Sequence, residues 1–418
     1  MPTIQLSQRS RSRSSATLND DDDDYNNNMN KQNRKLMPLD DEDYDFIIAD
    51  HDDEHDYHRD PSENMEFSSE SIENQKLLNK PFHAAIVWRN VFTMTLLHLF
   101  GFYGWYYFIR YGKWQTFLWA YVVGALGGLG ILAGAHRLWT HRSYKAHWSV
   151  RLFLMFLQTL ALQNDIYEWV RDHRTHHKYS ETDADPHNSK RGFFFSHVGW
   201  LLCRKHPLVK EKGGQIDMTD VWADPIVRFQ RRFYIPLVLL IWGVFPIIVP
   251  AYFWGEPWFY MVFGNFFRYF ISLHQAWLVN SAAHMYGFQF YDKSQNPREN
   301  YLVTYLAMGE GYHNYHHTFP WDYSASEHGW KDGFNIATAF IDLFASIGLV
   351  TDRRVVSKQV IEARIARTGD KSIMPPYLNS TRKPKHIWMD MLAGTIVTTW
   401  SLWLSWLLSY LFHAEHVE

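Results

Sequence analysis

Three long stretches of this chain, Val91–Ile109, Trp114–Ala135 and Phe233–Trp254, contain no Asp, Glu, Lys or Arg. A helix needs about 20 mostly apolar residues to cross a bilayer core, and each stretch meets that length. A fourth, Pro257–Val279, carries one charge, Arg268. A lone arginine at that depth either snorkels to the interface or turns towards an inward partner. Buried helices of a soluble core would also be apolar, but four of them in a chain that is 17% aromatic fit a membrane better, because amphipathic rings favour its interfaces. The expected fold class is an all-α integral membrane protein with four transmembrane helices. The mean hydropathy of -0.33 does not conflict, since it averages in a very polar N-terminus.

Loop charge sets the orientation. The link between the third and fourth runs has no Lys or Arg, and that between the first and second has only Arg110 and Lys113. The long middle loop and the region after the fourth run are rich in both, which places them and the N-terminus in the cytosol. The formal net charge of -3 gives no reason to expect a nucleic-acid partner.

Histidines gather at the edges of these runs: His136 and His141 in HRLWTH, His173, His176 and His177 in HRTHH, His313, His316 and His317 in HNYHH, and His284 in NSAAH. Spacing of i, i+3 and i+4 puts three imidazoles in one narrow sector of a helix. His136 and His141 are five apart, so they converge only at a helix end or a distortion. Neutral imidazole is the commonest protein ligand for Zn, Cu, Fe and Ni. The single cysteine, Cys203, excludes a multi-thiolate site, so the ligands are N and O. Nine imidazoles exceed one metal's needs and suit two metals. No HExxH is present, which leaves a zinc protease of that type unsupported. Only Glu310/His313 has the Glu-x-x-His spacing of soluble di-iron bundles. An all-nitrogen pair of irons beside a membrane points to O₂ activation against an unactivated C–H bond of a lipid.

Four segments, AGAHRLWTHRSYKA, QNDIYEWVRDHRTHHKYSETDADPHNSKRGFFFSHVGWLLCRKHP, WLVNSAAHMYG and GEGYHNYHHTFPWDYSASE, closely resemble the membrane acyl-CoA desaturases of the animal stearoyl-CoA (delta-9) type. The resemblance runs from about Val87 to Asp370. It implies four spans in the endoplasmic reticulum membrane, with a cytosolic helical cap holding a di-iron site. The implied reaction inserts a cis double bond into a saturated fatty acyl-CoA, using O₂ and electrons from cytochrome b5 and its NADH-dependent reductase. By resemblance, two Fe²⁺ ions are held by His136, His141, His173, His176, His177, His284, His313, His316 and His317, with Asn280 acting through water. The implied CoA contacts are Asn90, Asn164, Arg171, Asp172, Arg204, Lys205 and Trp277; cations there suit phosphates. The implied bent acyl tunnel passes Gln163 and Trp169, and Ala276 stands where the family usually has threonine. His147, His187, His197, His206, His274 and His328 match no ligand position.

Gly124, Gly127, Gly128 and Gly130 in the second run have two readings. One is close helix packing. The other is a tunnel deepened at Gly124 and Gly128 for longer acyl chains. Other functions stay in view: a membrane lipid hydroxylase or sterol oxidase, a catalytically silent membrane regulator, and a metal transporter, which would place its histidines within the spans.

The ends extend beyond the resemblance. Residues 1–80, with the run Asp20–Asp24 and further acids between Asp40 and Asp60, are too charged to bury a core and are expected to be disordered. The desaturase-like domain is then 81–370 and the C-terminal extension 371–418. Within the extension, the basic patch Arg382, Lys383 and Lys385 precedes the uncharged Met391–Phe412, and Glu415 and Glu418 follow it. Length and flanking charge predict a fifth span.

Overall fold

The computed structural model describes residues 84–372 and 387–414. The expected acidic tail, the basic patch at 382–385 and the terminal Glu415 and Glu418 lie outside the described residues. Among the described residues, regular structure is almost entirely helical. Two residues per strand, Lys145–Ala146 and Val350–Thr351, form one short antiparallel ladder.

Each apolar run becomes a long helix. These are α1 (Trp88–Tyr111), α2 (Trp114–Thr140), then, after α3 (Trp148–Ala161) and α4 (Ile166–Tyr179), α5 (Tyr234–Trp254) and α6 (Trp258–Met285). By length and apolarity, α2 and α5 qualify to cross a membrane. Helices α1 and α6 have the length but are more polar than expected, because α6 carries Asn265, Arg268, His274, Gln275, Asn280 and His284. Arg268 and Asn265 are both buried. Arg268 Nε donates to Asn265 Oδ1 at 2.9 Å, and Asn265 Nδ2 donates to the Trp242 carbonyl at 2.8 Å. The arginine has therefore turned inward.

Helices α1 and α6 press together along aromatic faces. Tyr107 stacks on Tyr260 with ring centroids 4.2 Å apart, and Phe100 meets Phe263 and Phe266 edge-on. Gly104 allows the approach, since a Cβ there would lie 2.1 Å from the Phe263 carbonyl oxygen. The α1–α2 and α5–α6 turns are tied through buried Glu256, which accepts from Tyr107 OH at 3.2 Å, Thr116 Oγ1 at 2.6 Å and the Lys113 amide at 2.9 Å.

The glycines of α2 divide by environment. A Cβ at Gly130 would sit 2.3 Å from backbone atoms of Leu157 and Gln158 in α3, whereas at Gly124 and Gly128 the nearest atoms are Ser272 Oγ at 3.3 Å and Met308 Sδ at 3.1 Å. Close packing therefore explains Gly130. Gly130→Ala should lower stability by about 1–3 kcal/mol or more through overpacking, read as melting temperature in detergent. Gly124→Ala should shift melting far less, and equal melting of the two variants would contradict this division.

After α6 the chain forms α7 (Tyr301–Leu306), α8 (His313–Thr318) and α9 (Ile336–Ser346). The C-terminal run is helical but not straight: it forms α10 (Ile387–Thr398) and α11 (Trp400–Ala414), bent by 60° at Thr399. Threonine hydroxyls bonding back to carbonyls a turn earlier often bend helices. Here Thr395 Oγ1 donates to the Met391 carbonyl at 2.7 Å and Thr399 Oγ1 to that of Thr395 at 2.6 Å.

Candidate metal centre

The ends of α2, α4, α6 and α8 converge, and each brings its histidines. The last eleven residues of α2, Gly130–Thr140, are a π-helix. Its hydrogen bonds run five residues apart, and the His141 amide follows that pattern onto the His136 carbonyl at 3.2 Å. The five-residue spacing thus lands on one face, by the kind of distortion the sequence required. Helix α4 is capped by Asp165, whose side chain accepts from the Glu168 amide at 3.0 Å, and it delivers His173, His176 and His177 in its last turns. Helix α8 delivers His313, His316 and His317, and the C-terminal end of α6 delivers His284.

All nine histidines fall into two groups whose ligand atoms lie within 4.8 Å of one another: His136, His141, His173, His177 and His316, and separately His176, His284, His313 and His317. Ring nitrogens face each other at short range. His136 Nε2 is 2.9 Å from His316 Nε2, which is 3.1 Å from His177 Nε2, and His284 Nε2 is 2.9 Å from His313 Nε2.

Three buried carboxylates fix the outer nitrogens. Glu310 Oε2 lies 3.2 Å from His136 Nδ1, Asp185 Oδ1 2.9 Å from His176 Nδ1, and Glu181 Oε1 2.8 Å from His284 Nδ1. A carboxylate accepts the Nδ1–H, which leaves the Nε2 lone pair directed inward, as in the carboxylate–histidine–metal arrangement. Burial opposes ionisation of Glu310, but Arg137 and His136 outweigh it and hold the carboxyl at about 2. Burial likewise opposes Asp185, yet His176, His187 and the Glu181 amide keep it well below the usual carboxylate range. Glu181 is lowered too, against burial, by hydrogen bonds from His284 and Ser189. Buried Nε2 atoms of His141, His173 and His317 have no hydrogen-bond partner. Paired lone pairs, orphaned inward nitrogens and anionic outer partners together fit two cations of the imidazole-binding class.

Sequence reading missed these carboxylates. Glu310 drew notice for its spacing to His313, but it serves His136 on another helix. The acids in HHKYSETDADPH were visible without a signal for which histidine each faces. His187 joins His176 and Asp185 in a third buried group, while His147 and His206 cap helices at Ser149 and Leu208. His98, His274 and His197 form a ladder, with nitrogens 3.3 and 2.9 Å apart.

Burial first, then repulsion among neighbouring imidazoles, drives His141, His173, His177, His313, His316 and His317 well below the ordinary histidine value. Below pH ~6.5 an unfolded chain protonates these rings while the folded one keeps them neutral, so stability falls as pH drops. Each ring kept neutral by burial adds to that slope. Chelator-stripped protein should therefore melt at steeply lower temperature below pH ~6.5, and a flat profile from pH 7 to 5 would contradict neutral burial.

The residues matched to CoA contacts lie on neighbouring segments. Asp172 pairs with Lys205, and Arg171 with Glu168 and Asp172. Asn90 Nδ2 donates to the Leu201 carbonyl at 2.8 Å, and the Arg204 amide to that of Ala85 at 2.8 Å. Buried Trp277 packs in a cluster with Leu162, Val198 and Leu201. Asn164 holds a left-handed φ of 65°, its carbonyl accepting from Gln158 Nε2 at 2.7 Å. Trp169 stacks on His173 at 4.7 Å, which puts one tunnel candidate against the centre. Gln163, Ala276 and Asn280 are half-buried, Asn280 one turn before His284. An open cavity of about 430 Å³, lined by Thr140, His141, Arg142, Arg174, Lys178 and Trp321 among others, reaches the five-histidine group.

With this geometry in place, comparison with known proteins is specific. Residues 112–326 match the fatty acid desaturase family model. Stearoyl-CoA desaturase of Sus scrofa is 58% identical over 287 residues, covering 68% of this chain and 79% of that protein. The Homo sapiens stearoyl-CoA desaturase is 57% identical over 285 residues, with the same coverage. Stearoyl-CoA desaturase 5 of Bos taurus is 58% identical over 288 residues, covering 69% and 85%. The chain belongs to the fatty acid desaturase family. It is a membrane oxidoreductase of lipid metabolism.

Proposed function

We propose that this protein is an acyl-CoA desaturase that introduces a cis double bond, at the delta-9 position, into a saturated fatty acyl-CoA. The observation that carries this reading is the pair of histidine groups, five and four strong, gathered where α4, α6 and α8 meet the end of the membrane-length α2. The names of the similar proteins supply the substrate class. Two Fe²⁺ ions held by the nine histidines, with Asn280 through water, would supply the O₂ chemistry that no side chain has. The overall balance takes one CH₂–CH₂ unit, O₂, two electrons and two protons to CH=CH and two waters. Electrons come from cytochrome b5 and its NADH-dependent reductase.

The chain's own part is positioning. Glu310, Asp185 and Glu181 set three imidazole planes. Arg171, Asp172, Arg204 and Lys205, with Asn90, Asn164 and Trp277, hold the CoA end, the cations meeting its phosphates. The acyl chain runs past Gln163, Trp169 and Ala276 towards Gly124 and Gly128. The protein lies in the endoplasmic reticulum membrane on four spans, α1, α2, α5 and α6, with the metal centre in a cytosolic helical cap.

Expression in desaturase-deficient cells fed saturated acids of several lengths tests the reaction, with gas chromatography of the products and iron analysis of the purified protein. Monounsaturated product is expected; hydroxylated product would replace desaturation with oxygen insertion, and neither would support a silent regulator. Zinc in an overexpressed sample would not count against iron, since zinc binds imidazole sites readily. Gly124→Tyr should shift the product profile towards shorter chains, because its open side faces Ser272 and Arg268 rather than packed backbone. An unchanged profile would remove Gly124 from the acyl path.

A further inference from the structure

The C-terminal helix pair, which lies well beyond the matched stretch at 112–326, touches the scaffold of the metal centre. The backbone of α10 is pressed onto Phe334, so that a Cβ at Gly394 would lie 2.2 Å from the ring. Phe334 is only 1% exposed and cannot swing aside cheaply. One turn further on, Thr398 Oγ1 donates to the Tyr305 carbonyl at 2.6 Å, and the Tyr305 ring in turn meets Phe334. Helix α11 is fixed separately, where Trp105 Nε1 of α1 donates to fully buried Ser405 Oγ at 2.7 Å.

From Phe334 two short routes lead to one carboxylate. The next residue, Asn335, accepts from both terminal nitrogens of Arg137 at 3.3 Å and donates to the Ser324 carbonyl at 2.8 Å. Arg137 donates to Glu310 at 2.6 Å, and Glu310 holds His136. The second route is backbone. Gly309, left-handed with φ +114°, lies against Phe334 and Asn335 immediately before Glu310. Everything on both routes is buried, and buried polar networks of this kind have little freedom to relax independently.

We propose that the α10–α11 pair is a brace for the metal centre: seated on Phe334, it holds Asn335 and Gly309, and through Arg137 and Glu310 it sets the imidazole of His136. The brace acts first on the five-histidine group, through His136, because Asp185 and Glu181, which orient His176 and His284, belong to a different segment of the chain. His136 would then depend on a helix more than 250 residues away in sequence. The role is one of positioning, and it rests on reading the nine imidazoles as metal ligands.

Titration of full-length, chelator-stripped protein with Co²⁺ tests it. The parent should bind two equivalents, and failure to do so would refute the ligand reading itself, whatever the brace does. His136→Ala and His284→Ala identify which binding phase belongs to which group. Gly394→Leu should then weaken the His136 phase by about 10-fold or more, the scale on which partners of ligating histidines act, and weaken the His284 phase far less. Asn335→Leu should do the same, and the double variant should lose no more than the larger single effect, since Asn335 lies in series with Phe334, on which Gly394 is seated. Trp406→Ala, on an exposed face, should change neither phase. If Gly394→Leu does not reach the membrane, Thr398→Val, which removes one hydrogen bond, carries the same readout with a smaller shift. Two unchanged phases in the variant would overturn the brace. So would equal weakening of both phases in step with melting temperature, which marks general loosening.

Discussion

His173→Ala and His316→Ala should each abolish desaturation, by at least about 100-fold, while the protein still inserts in the membrane at normal level. Altering the mere partners of ligating histidines costs about 10–100-fold, and these two residues are proposed as ligands. Both belong to the five-histidine group. His316 Nε2 lies near nitrogens from two other elements, His136 at 2.9 Å and His177 at 3.1 Å. Removing its ring takes away the nitrogen that faces both. Product analysis in fed cells, with the level of membrane-inserted protein measured alongside, is the check. Near-normal activity in either variant would take that residue out of the ligand set.

Glu310→Leu should be the most damaging change at a residue that is not itself a ligand. Arg137 is 1% exposed and reaches Glu310, Asn335, Thr338 and the Tyr323 carbonyl. Taking away the anion leaves a buried guanidinium without its counter-charge, at a cost of about 3–5 kcal/mol, and frees the His136 ring. Both stability and metal binding should fall together. Glu310→Gln keeps the shape and a hydrogen-bond acceptor for Arg137, so it should retain more stability than Glu310→Leu yet still weaken metal binding. Equal melting temperatures for parent and Glu310→Leu would show that Arg137 finds compensation elsewhere.

Much of this arrangement was legible in the sequence because it depends on composition and short-range spacing. Uncharged runs announce long helices, and HxxHH announces three imidazoles on one sector. The five-residue gap between His136 and His141 even required a distortion, which the π-helix supplies. What stayed hidden depends on pairing across the chain. Nothing local says that Glu310 faces His136, 174 positions away, or that Glu181 faces His284. The bend at Thr399 was hidden for another reason. An apolar count treats threonine as neutral, while its hydroxyl competes for backbone carbonyls. The inward turn of Arg268 likewise depends on Asn265, whose own partner lies on another helix.

The π-helix at the end of α2 makes chain length itself part of the chemistry. In such a segment each hydrogen bond spans one residue more than in the α-helix it interrupts. Losing any single residue between Gly130 and Ala135 would let the backbone relax to ordinary α geometry without disturbing the apolar character of the span. The helix would still insert, and His136 and His141 would still be present. Their side chains, however, would leave the helix on different faces, and the apolar helix would survive with its histidine pair parted. A conventional transmembrane helix can lose a residue and adjust by tilting; this one would lose its register with three other helices.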